Sequence, residues 1–225
     1  MLSSGFEVLL LPNNLLRLMQ GLAVTLKIAF ISVLVSMVLG IVYGLVMTAK
    51  NKLVYGVCRI YLEAFRIIPI LVWLFLFFFG SALVFGANLG GFLVAVIVFS
   101  MWGTAEMGDI VRGAVKSIPM HQWQSGDAIG LTKAQVQLYV IIPQAVRRVV
   151  PAAINLVTRM IKTTSLVAFV GVTEMLRVGK QIIEFNMMKN HMASFWIYGF
   201  IFMTYFILCY PVSRLSKKLE LRWEN

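Results

Sequence analysis

The sequence predicts an all-α membrane protein, and two properties of the whole chain carry that prediction. Of its 225 residues, 60% are hydrophobic and only 13% are charged, with a mean hydropathy of +0.87. A soluble domain carries roughly 25% charged residues, so this composition is typical of a chain that lies mostly in lipid. Several apolar runs approach or exceed about 18 residues, enough for an α-helix to cross the bilayer. We expect a single transmembrane domain over residues 1–225, with no room for a second, soluble domain.

The N-terminal residues 1–20 are expected to lie at the membrane interface. No basic residue precedes the apolar run Val8–Leu11, so the sequence does not predict a removable signal. Pro12 and the two asparagines after it interrupt the run and offer a helix cap. A short interfacial helix from Asn14 to Gln20 would then lead into the first span.

Five apolar segments are predicted to cross the membrane. Lys27, near the start of the first, can extend its amine to the interface. After the second, four glycines between Gly80 and Gly91 favour a turn. The predicted spans are Leu22–Met47, Ile60–Val84, Phe92–Val111, Val149–Val170 and Phe195–Val212.

Basic residues are divided unequally between the two sides of these spans, and the richer side predicts the cytoplasm. Twelve lie on one side: Lys50, Lys52, Arg59, Arg112, Lys116, Lys133, Arg147, Arg148, Arg214, Lys217, Lys218 and Arg222. Five lie on the other: Arg17, Lys27, Arg177, Lys180 and Lys189. We therefore expect the N-terminus outside and the C-terminus in the cytoplasm. The net charge of +11 then favours anchoring at an anionic membrane surface over binding to nucleic acid.

One polar stretch, residues 119–143, interrupts the apolar chain on the predicted cytoplasmic side. Pro119 can open a helix, because the first turn needs no N–H from it. Gly130 suits the left-handed conformation that ends such a helix. Trp123 and Gly126 fall near one face at helical spacing. The stretch predicts a short helix of about three turns on the membrane surface over residues 119–131, either a solvated loop helix or a docking element.

Charged residues also occur inside the predicted spans, where lipid makes an unpaired charge costly. They are Glu63, Arg66, Glu106, Asp109, Arg159 and Lys162. Two interpretations stay open: ion pairs that tie the spans together, or a polar translocation path. Arg159 and Lys162 are three residues apart and share one helical face, and the hydroxyls of Thr163, Thr164 and Ser165 follow directly.

The polar stretch contains a spaced motif. Gln124, Ser125 and Gly126 are followed at fixed distances by Gly130 and then by Val140, Ile142 and Pro143. This spacing resembles the cytoplasmic loop of ATP-binding-cassette (ABC) importer permeases, which has Glu-Ala-Ala, three residues, Gly, nine residues and Ile-x-Leu-Pro. Gln124 stands where that pattern has an acid.

Further motifs narrow the resemblance to the permeases of polar amino-acid importers, the histidine, glutamine and glutamate permease family. The matching residues are Glu63, Arg66 and Pro69; Asp109, Arg112 and Gly113; Ser117, Ile118 and Pro119; Gln122 and Trp123; Lys162, Thr164, Ser165 and Leu166; and Val172 and Glu174. The similarity covers most of the chain, from about Gly21 onward.

The resemblance implies a type I importer permease in the bacterial inner membrane, without its own ATPase activity. Its expected partners are a second permease subunit, identical or related, two ABC ATPase subunits that bind ATP and Mg²⁺, and an extracytoplasmic amino-acid-binding protein. The residues expected to couple to the ATPase are Trp123, Gln124, Ser125, Gly126, Asp127, Gly130 and Pro143. The residues expected to line the path are Glu63, Arg66, Glu106, Asp109, Arg159, Lys162, Thr163, Thr164 and Ser165.

The absence of several motifs bears on the alternatives. The sequence contains no Gly-x-x-x-x-Gly-Lys-Ser/Thr phosphate loop, and we expect no cofactor in this chain. Cys58 and Cys209 suggest no disulfide framework, and His121 and His191 lack metal-ligand spacing. A secondary transporter and a membrane-embedded enzyme remain as alternatives, and co-purification with an ATPase would discriminate against both.

The charge of the substrate can be predicted from how deep the charged side chains lie in the bilayer. Arg159 and Lys162 lie near the middle of the fourth predicted span, whereas the three intramembrane carboxylates lie closer to the cytoplasmic end. Two cations in a water-poor region favour a substrate that brings a carboxylate. We therefore expect a neutral polar or acidic amino acid, such as glutamine, glutamate or aspartate, rather than a cationic one.

Overall fold

The computed structural model describes residues 5–49, 51–86, 88–186, 188 and 190–223, and 87% of these described residues are helical, with no strand among them. Lys50 and Lys189, counted above for orientation, and residues 1–4, 87, 187, 224 and 225 lie outside the described part. The helices are α1 (Phe6–Leu10), α2 (Pro12–Val46), α3 (Lys52–Ile67), α4 (Ile70–Phe85), α5 (Gly91–Lys116), α6 (Met120–Ala128), α7 (Lys133–Gln135), α8 (Ile142–Thr163), α9 (Met175–Asn186) and α10 (Ala193–Trp223). A π-helical segment, Val136–Ile141, joins α7 to α8, and a 3₁₀ segment, Thr164–Val170, follows α8.

The all-helical membrane fold is confirmed, and the number of spans is four or five. Within the described residues, four helical stretches are long and apolar enough to cross a membrane: Pro12–Val46, Gly91–Lys116, Lys133–Val170 and Ala193–Trp223. The bent pair formed by α3 and α4 makes a fifth if both helices belong to one span.

The predicted second span, Ile60–Val84, is not one continuous helix, because the chain breaks at Ile68 and Pro69. Ile68 is extended, with φ −82° and ψ 126°, and its N–H bonds the carbonyl of Ala64 to close α3. The pyrrolidine ring of Pro69 disfavours the helical conformation for the residue before it. The second apolar segment is therefore two helices of 16 residues each.

The boundaries of three other predicted elements also differ. Asn14–Gln20 form the first turns of α2 rather than a separate interfacial helix, because Pro12 is tolerated at the start of a helix. Gly80 lies inside α4, so the turn begins only at Gly86, which has φ +63°. The fourth span begins at Lys133 rather than Val149, because α7, the π segment and α8 are continuous.

The described chain forms two compact units, and the first contains α1, the N-terminal part of α2, all of α4, the start of α5, α9 and most of α10. Its segments are Met1–Ser32, Ile70–Phe99 and Arg159–Pro211. Its buried core includes Leu18, Met175, Val178, Ile182 and Ile197. At Gly21, α2 approaches the start of α9 so closely that a Cβ would lie 2.9 Å from the Met175 Cα. Small residues permit such close helix contacts in a membrane.

The second unit contains the C-terminal part of α2, α3, most of α5, α6, α7, the π segment and most of α8. Its segments are Val33–Pro69, Ser100–Thr158 and Val212–Asn225. Here α2 and α5 pack through glycines: a Cβ on Gly44 would lie 2.6 Å from the Gly108 carbonyl oxygen, and one on Gly40 would lie 2.5 Å from the Met107 Cβ. Ser36 adds a hydrogen bond from its hydroxyl to the Ser100 carbonyl at 3.2 Å.

Candidate coupling surface and polar residues of the spans

Helix α6 lies in the second unit and ends as its sequence predicts. Gly130 adopts φ +80°, its N–H donates to the Asp127 carbonyl at 3.0 Å, and the Leu131 N–H donates to the Gly126 carbonyl at 3.1 Å. These two bonds form a Schellman motif, which satisfies the last carbonyls of the helix. Pro119 precedes the helix in an extended conformation, so α6 has a defined start and a defined end.

The inner face of α6 packs against the π segment of the same chain. Gly126 is buried, and a Cβ added to it would lie 2.6 Å from Cγ2 of Val136. Trp123 packs against the buried cluster of Ile118, Val136, Ile141 and Ala145. Gly126, predicted above to couple to the ATPase, thus has Val136 of its own chain as its nearest neighbour.

The outer face of α6 is exposed and carries three of the predicted coupling residues. Gln124, Ser125 and Asp127 all lie on it, and none is buried. Met120 is 70% exposed and Ile129 is 76% exposed, one at each end of the helix. Large apolar side chains beside small polar ones on an exposed helix face are typical of a docking surface. We call this set the α6 outer face: Met120, Gln124, Ser125, Asp127 and Ile129.

The connection from α6 to α8 is short and firmly capped. Thr132 and Gln135 form a capping box at the start of α7, with the Gln135 N–H donating to the Thr132 hydroxyl at 3.3 Å. The π segment follows at once and ends where the Ile142 N–H bonds the Gln137 carbonyl. Pro143 comes next and supplies no N–H, so a regular α-helical bond to Tyr139 is impossible. The wider π turn accommodates this missing donor and keeps the helix continuous.

One link between α6 and α8 was missed by the sequence analysis. The Gln144 side-chain amide donates to the side-chain carbonyl of Gln122 at 3.2 Å and to the Val140 carbonyl at 2.9 Å. Gln122 matches the family motif, and that match does not indicate a bond to Gln144. Two glutamines separated by 22 residues give no local signal of pairing, and their contact depends on the turn at Gly130.

Charged residues of the second unit form ion pairs within the chain. Asp109 accepts hydrogen bonds from Arg66, which lies on α3, and from Arg112, which lies one turn further along α5. The Arg112 Nε lies 2.9 Å from Asp109 Oδ1. This carboxylate therefore ties α3 to α5, which agrees with the ion-pair interpretation for this residue.

Glu63 and Glu106 are the other two carboxylates of the predicted spans in this unit. Glu63 pairs with Arg59 on its own helix, with Nη2 and Oε1 2.6 Å apart. Both side chains are partly exposed, at 33% for Glu63 and 44% for Arg59. Glu106 is half-buried on α5, one turn before Asp109. Glu63 is thus satisfied locally, without linking two helices.

The remaining candidate path residues lie in the first unit, where α8 becomes the 3₁₀ segment. Arg159 and Lys162 are exposed on α8. The hydroxyls of Thr163, Thr164 and Ser165 donate to carbonyls of the preceding turn at 2.8, 2.6 and 3.0 Å. Their protons therefore stabilise the change of helix type, and their oxygens remain as acceptors. Thr164 is fully buried, whereas Thr163 and Ser165 are half-buried.

Glu174, identified above only as a motif residue, is a buried carboxyl group in the first unit. Glu174 is fully buried, and its two oxygens accept the N–H groups of Leu176 (2.9 Å) and Arg177 (2.7 Å). Burial raises the pKa of Glu174, although these N–H groups and the Arg177 guanidinium act to lower it. The motif contained Glu174, and the structure assigns it the N-terminal cap of α9.

Comparisons with known proteins agree with this architecture. Residues 36–223 match the family described as binding-protein-dependent transport system inner membrane component. A probable amino-acid ABC transporter permease of Bacillus subtilis (strain 168) is 32% identical over 80% of each chain. The L-cystine transport system permease protein of the same organism is 31% identical over 91% of this chain and 86% of its own.

A solved structure has the same fold over nearly the whole chain. It is described as a crystal structure of an amino acid ABC transporter with histidines, and it is 28% identical, with a TM-score of 0.82. The match covers 92% of this chain and 94% of that one. The chain therefore belongs to the family of binding-protein-dependent transport system inner membrane components, as a permease subunit of an amino-acid ABC importer.

Proposed function

We propose that this permease carries a polar amino acid across the bacterial inner membrane and that ATPase subunits drive it through the α6 outer face. The observation that carries the proposal is the connection from α6 to the fourth span. Only Ile129, Gly130, Leu131 and Thr132 separate the end of α6 from a helix that continues for 38 residues into the apolar region. A displacement of α6 is therefore transmitted with little loss.

The internal contacts of α6 support transmission by a rigid route. Gly126 packs against Val136, which joins α6 to the π segment. Gln122 is bonded to Gln144, which joins α6 to α8. Two partner ATPase subunits that close on ATP and Mg²⁺ would move this assembly as one body. The energy source is then a population shift between outward-facing and inward-facing states, driven by the different affinity of each state for ATP.

The proposal requires several partners. A second permease subunit, identical or related, completes the path, because four or five spans are few for a lone carrier. An extracytoplasmic binding protein delivers the amino acid, in keeping with the family's description as binding-protein-dependent. Purification in mild detergent, with identification of co-purifying chains, tests this directly. Recovery of a transport-competent permease without any ATPase subunit would overturn the proposal and favour a secondary transporter.

We place the N-terminus outside and both α6 and the C-terminus in the cytoplasm. This orientation rests on the unequal distribution of basic residues and on counting α3 and α4 as one crossing. Reporter fusions after Lys52, after Lys133 and at the C-terminus should all report a cytoplasmic position. If α3 and α4 instead re-enter from one side, the fusions after Lys52 and Lys133 will report opposite sides.

The proposed substrate is a neutral polar or acidic amino acid. Arg159 and Lys162 are exposed on one face of α8, where they can meet a substrate carboxylate. Arg159→Gln and Lys162→Gln should each reduce uptake by the reconstituted complex, while Lys52→Gln, at the start of α3, serves as the matched control. Unchanged uptake in both variants, or a preference for arginine or lysine as substrate, would contradict the assignment.

A further inference from the structure

A polar cavity in the second unit is not used by the proposed transport route. It has a volume of about 230 Å³ and lies between α8 and the last turns of α10. Liquid water occupies about 30 Å³ per molecule, so the cavity has room for a small organic ion. Its lining residues are Arg147, Arg148, Pro151, Ala152, Asn155, Glu220 and Trp223.

Helical spacing brings these side chains together. On α8, Arg147, Pro151 and Asn155 recur at intervals of four and therefore share one face. On α10, Glu220 and Trp223 lie one and two turns after Ser216, on the same face of that helix. Ser216 is fully buried and donates its hydroxyl to the Pro151 carbonyl at 2.8 Å. This bond holds the two helices together directly beside the cavity.

The cavity has charges of both signs that do not neutralise each other. Arg148 is held in place by a hydrogen bond from Nη1 to the Ser117 hydroxyl at 2.5 Å. Among the residues that the structure describes, no ion pair within 4.0 Å joins Glu220 to either Arg147 or Arg148. Two arginines and one glutamate therefore line this cavity without an ion pair between them.

Pro151 adds an acceptor to this arrangement. Because it has no N–H, it cannot donate to the Arg147 carbonyl four residues earlier, as any other residue at this position of a helix would. The Arg147 carbonyl therefore lacks that usual donor, and the Glu220 carboxylate and the Asn155 side chain, both on lining residues, can accept from an ammonium. Trp223, which is 37% exposed, supplies an aromatic wall.

We propose that this cavity binds a zwitterion, with its anionic group on Arg147 and Arg148 and its ammonium group on Glu220. Two sources have this chemistry: a free α-amino acid and the headgroup of phosphatidylethanolamine. A simple anion would leave Glu220 without a partner and facing a like charge. This binding site is separate from the proposed transport route, because none of its lining residues belongs to the α6 outer face or to the predicted path.

The experiment uses the assembled permease–ATPase complex labelled with 5-fluorotryptophan, with the Trp223 resonance assigned through Trp223→Phe. L-Glutamine and glycerophosphoethanolamine are titrated separately, and a shift of the Trp223 signal reports occupancy of this cavity and not of the translocation path. A response to L-glutamine identifies an amino-acid site, and a response to glycerophosphoethanolamine identifies a lipid-headgroup site. Either supports the proposal, and no response to both at millimolar concentrations overturns it.

Blocked probes test both charges without altering the protein. N-Acetyl-L-glutamine and N-acetyl-glycerophosphoethanolamine lack the ammonium, and L-glutaminamide lacks the carboxylate, so each should bind at least about tenfold more weakly than its parent. Arg147→Gln and Glu220→Gln should weaken the parent probe by a similar factor, while Lys217→Gln, on the same helix outside the cavity, should not. Equal binding of blocked and parent probes would contradict the proposal whatever the transport assays show.

Discussion

The contact between α6 and the π segment and the charged cluster around Asp109 both connect helices of the second unit, but by different means. The first depends on shape: Gly126 fits against Val136, and Gly130 turns the chain. The second depends on charge, since Asp109 holds Arg66 on α3 and Arg112 on α5. A contact made by shape fails when an atom is added, whereas a contact made by charge fails when one partner is neutralised.

The largest expected effect is loss of the shape contact by Gly126→Trp. The indole has no space, because even a Cβ would lie 2.6 Å from Val136. Overpacking should cost more than about 3 kcal/mol locally and should displace α6. Uptake by the reconstituted complex should be abolished while membrane insertion stays intact.

A milder pair of variants separates two explanations for the small residue at Gly126: its contact with Val136 of the same chain, and a contact with the partner ATPase. Gly126→Ala should lower uptake, and adding Val136→Ala should restore part of it by removing the methyl groups that clash. Failure of Val136→Ala to rescue, together with loss of the ATPase from the purified complex, would instead place Gly126 against the partner subunit.

Asp109→Asn should break the charge contact, with a smaller effect on the protein than that of Gly126→Trp. This change leaves the guanidinium groups of Arg66 and Arg112 without their carboxylate and should destabilise the protein by about 2 kcal/mol. The melting temperature in mild detergent should fall. Glu63→Gln is the control, because its pair with Arg59 is exposed and lies within one helix. An equal loss in the two variants would show that Asp109 does not link α3 to α5.

Gly130→Ala should lower the stability of the end of α6 by about 1–2 kcal/mol. A residue with a Cβ is strained at φ +80°, although nothing lies within 4 Å of a Cβ at this position. Amide hydrogen exchange should become faster over residues 126–132. Gly113→Ala, which is equally open but lies within α5, should leave the exchange of that loop unaltered.

The smallest expected effect is that of Glu63→Gln itself. Exposed ion pairs spaced four residues apart on one helix contribute about 0.3–0.5 kcal/mol, so stability should change little. If Glu63 belongs to the translocation path, uptake should fall without a matching fall in melting temperature. Unchanged uptake would remove Glu63 from the path.

Features determined by local conformation could be predicted from the sequence. Gly130 after a polar helix predicted a left-handed end, and the structure has one. Pro119 predicted the start of α6, and the apolar runs predicted helical spans. Each of these conclusions depends on the steric properties of a single residue or on a run of neighbours.

Features determined by contacts distant in sequence could not be predicted. A nine-residue helix places Trp123 and Gly126 on one side, but its sequence does not show whether that side faces its own chain or a partner. Pro69 was recognised as a motif residue, yet its sequence alone does not distinguish a mild kink from a break. Arg147 and Arg148 predicted that the fourth span begins after them, at Val149, although one helix face can carry them outside lipid while the opposite face stays apolar.

Cross-linking tests most directly the central claim that the α6 outer face is where the ATPase acts. The native cysteines, Cys58 and Cys209, are first replaced by serine, and Ser125→Cys is compared with Asn88→Cys in the loop before α5. With a short cysteine-reactive photo-crosslinker in membranes that contain the whole transporter, Ser125→Cys should form an adduct with the ATPase subunit whose yield changes on adding ATP. Asn88→Cys should form none. An ATPase adduct from Asn88→Cys, or none from Ser125→Cys in a complex that still transports, would contradict the account.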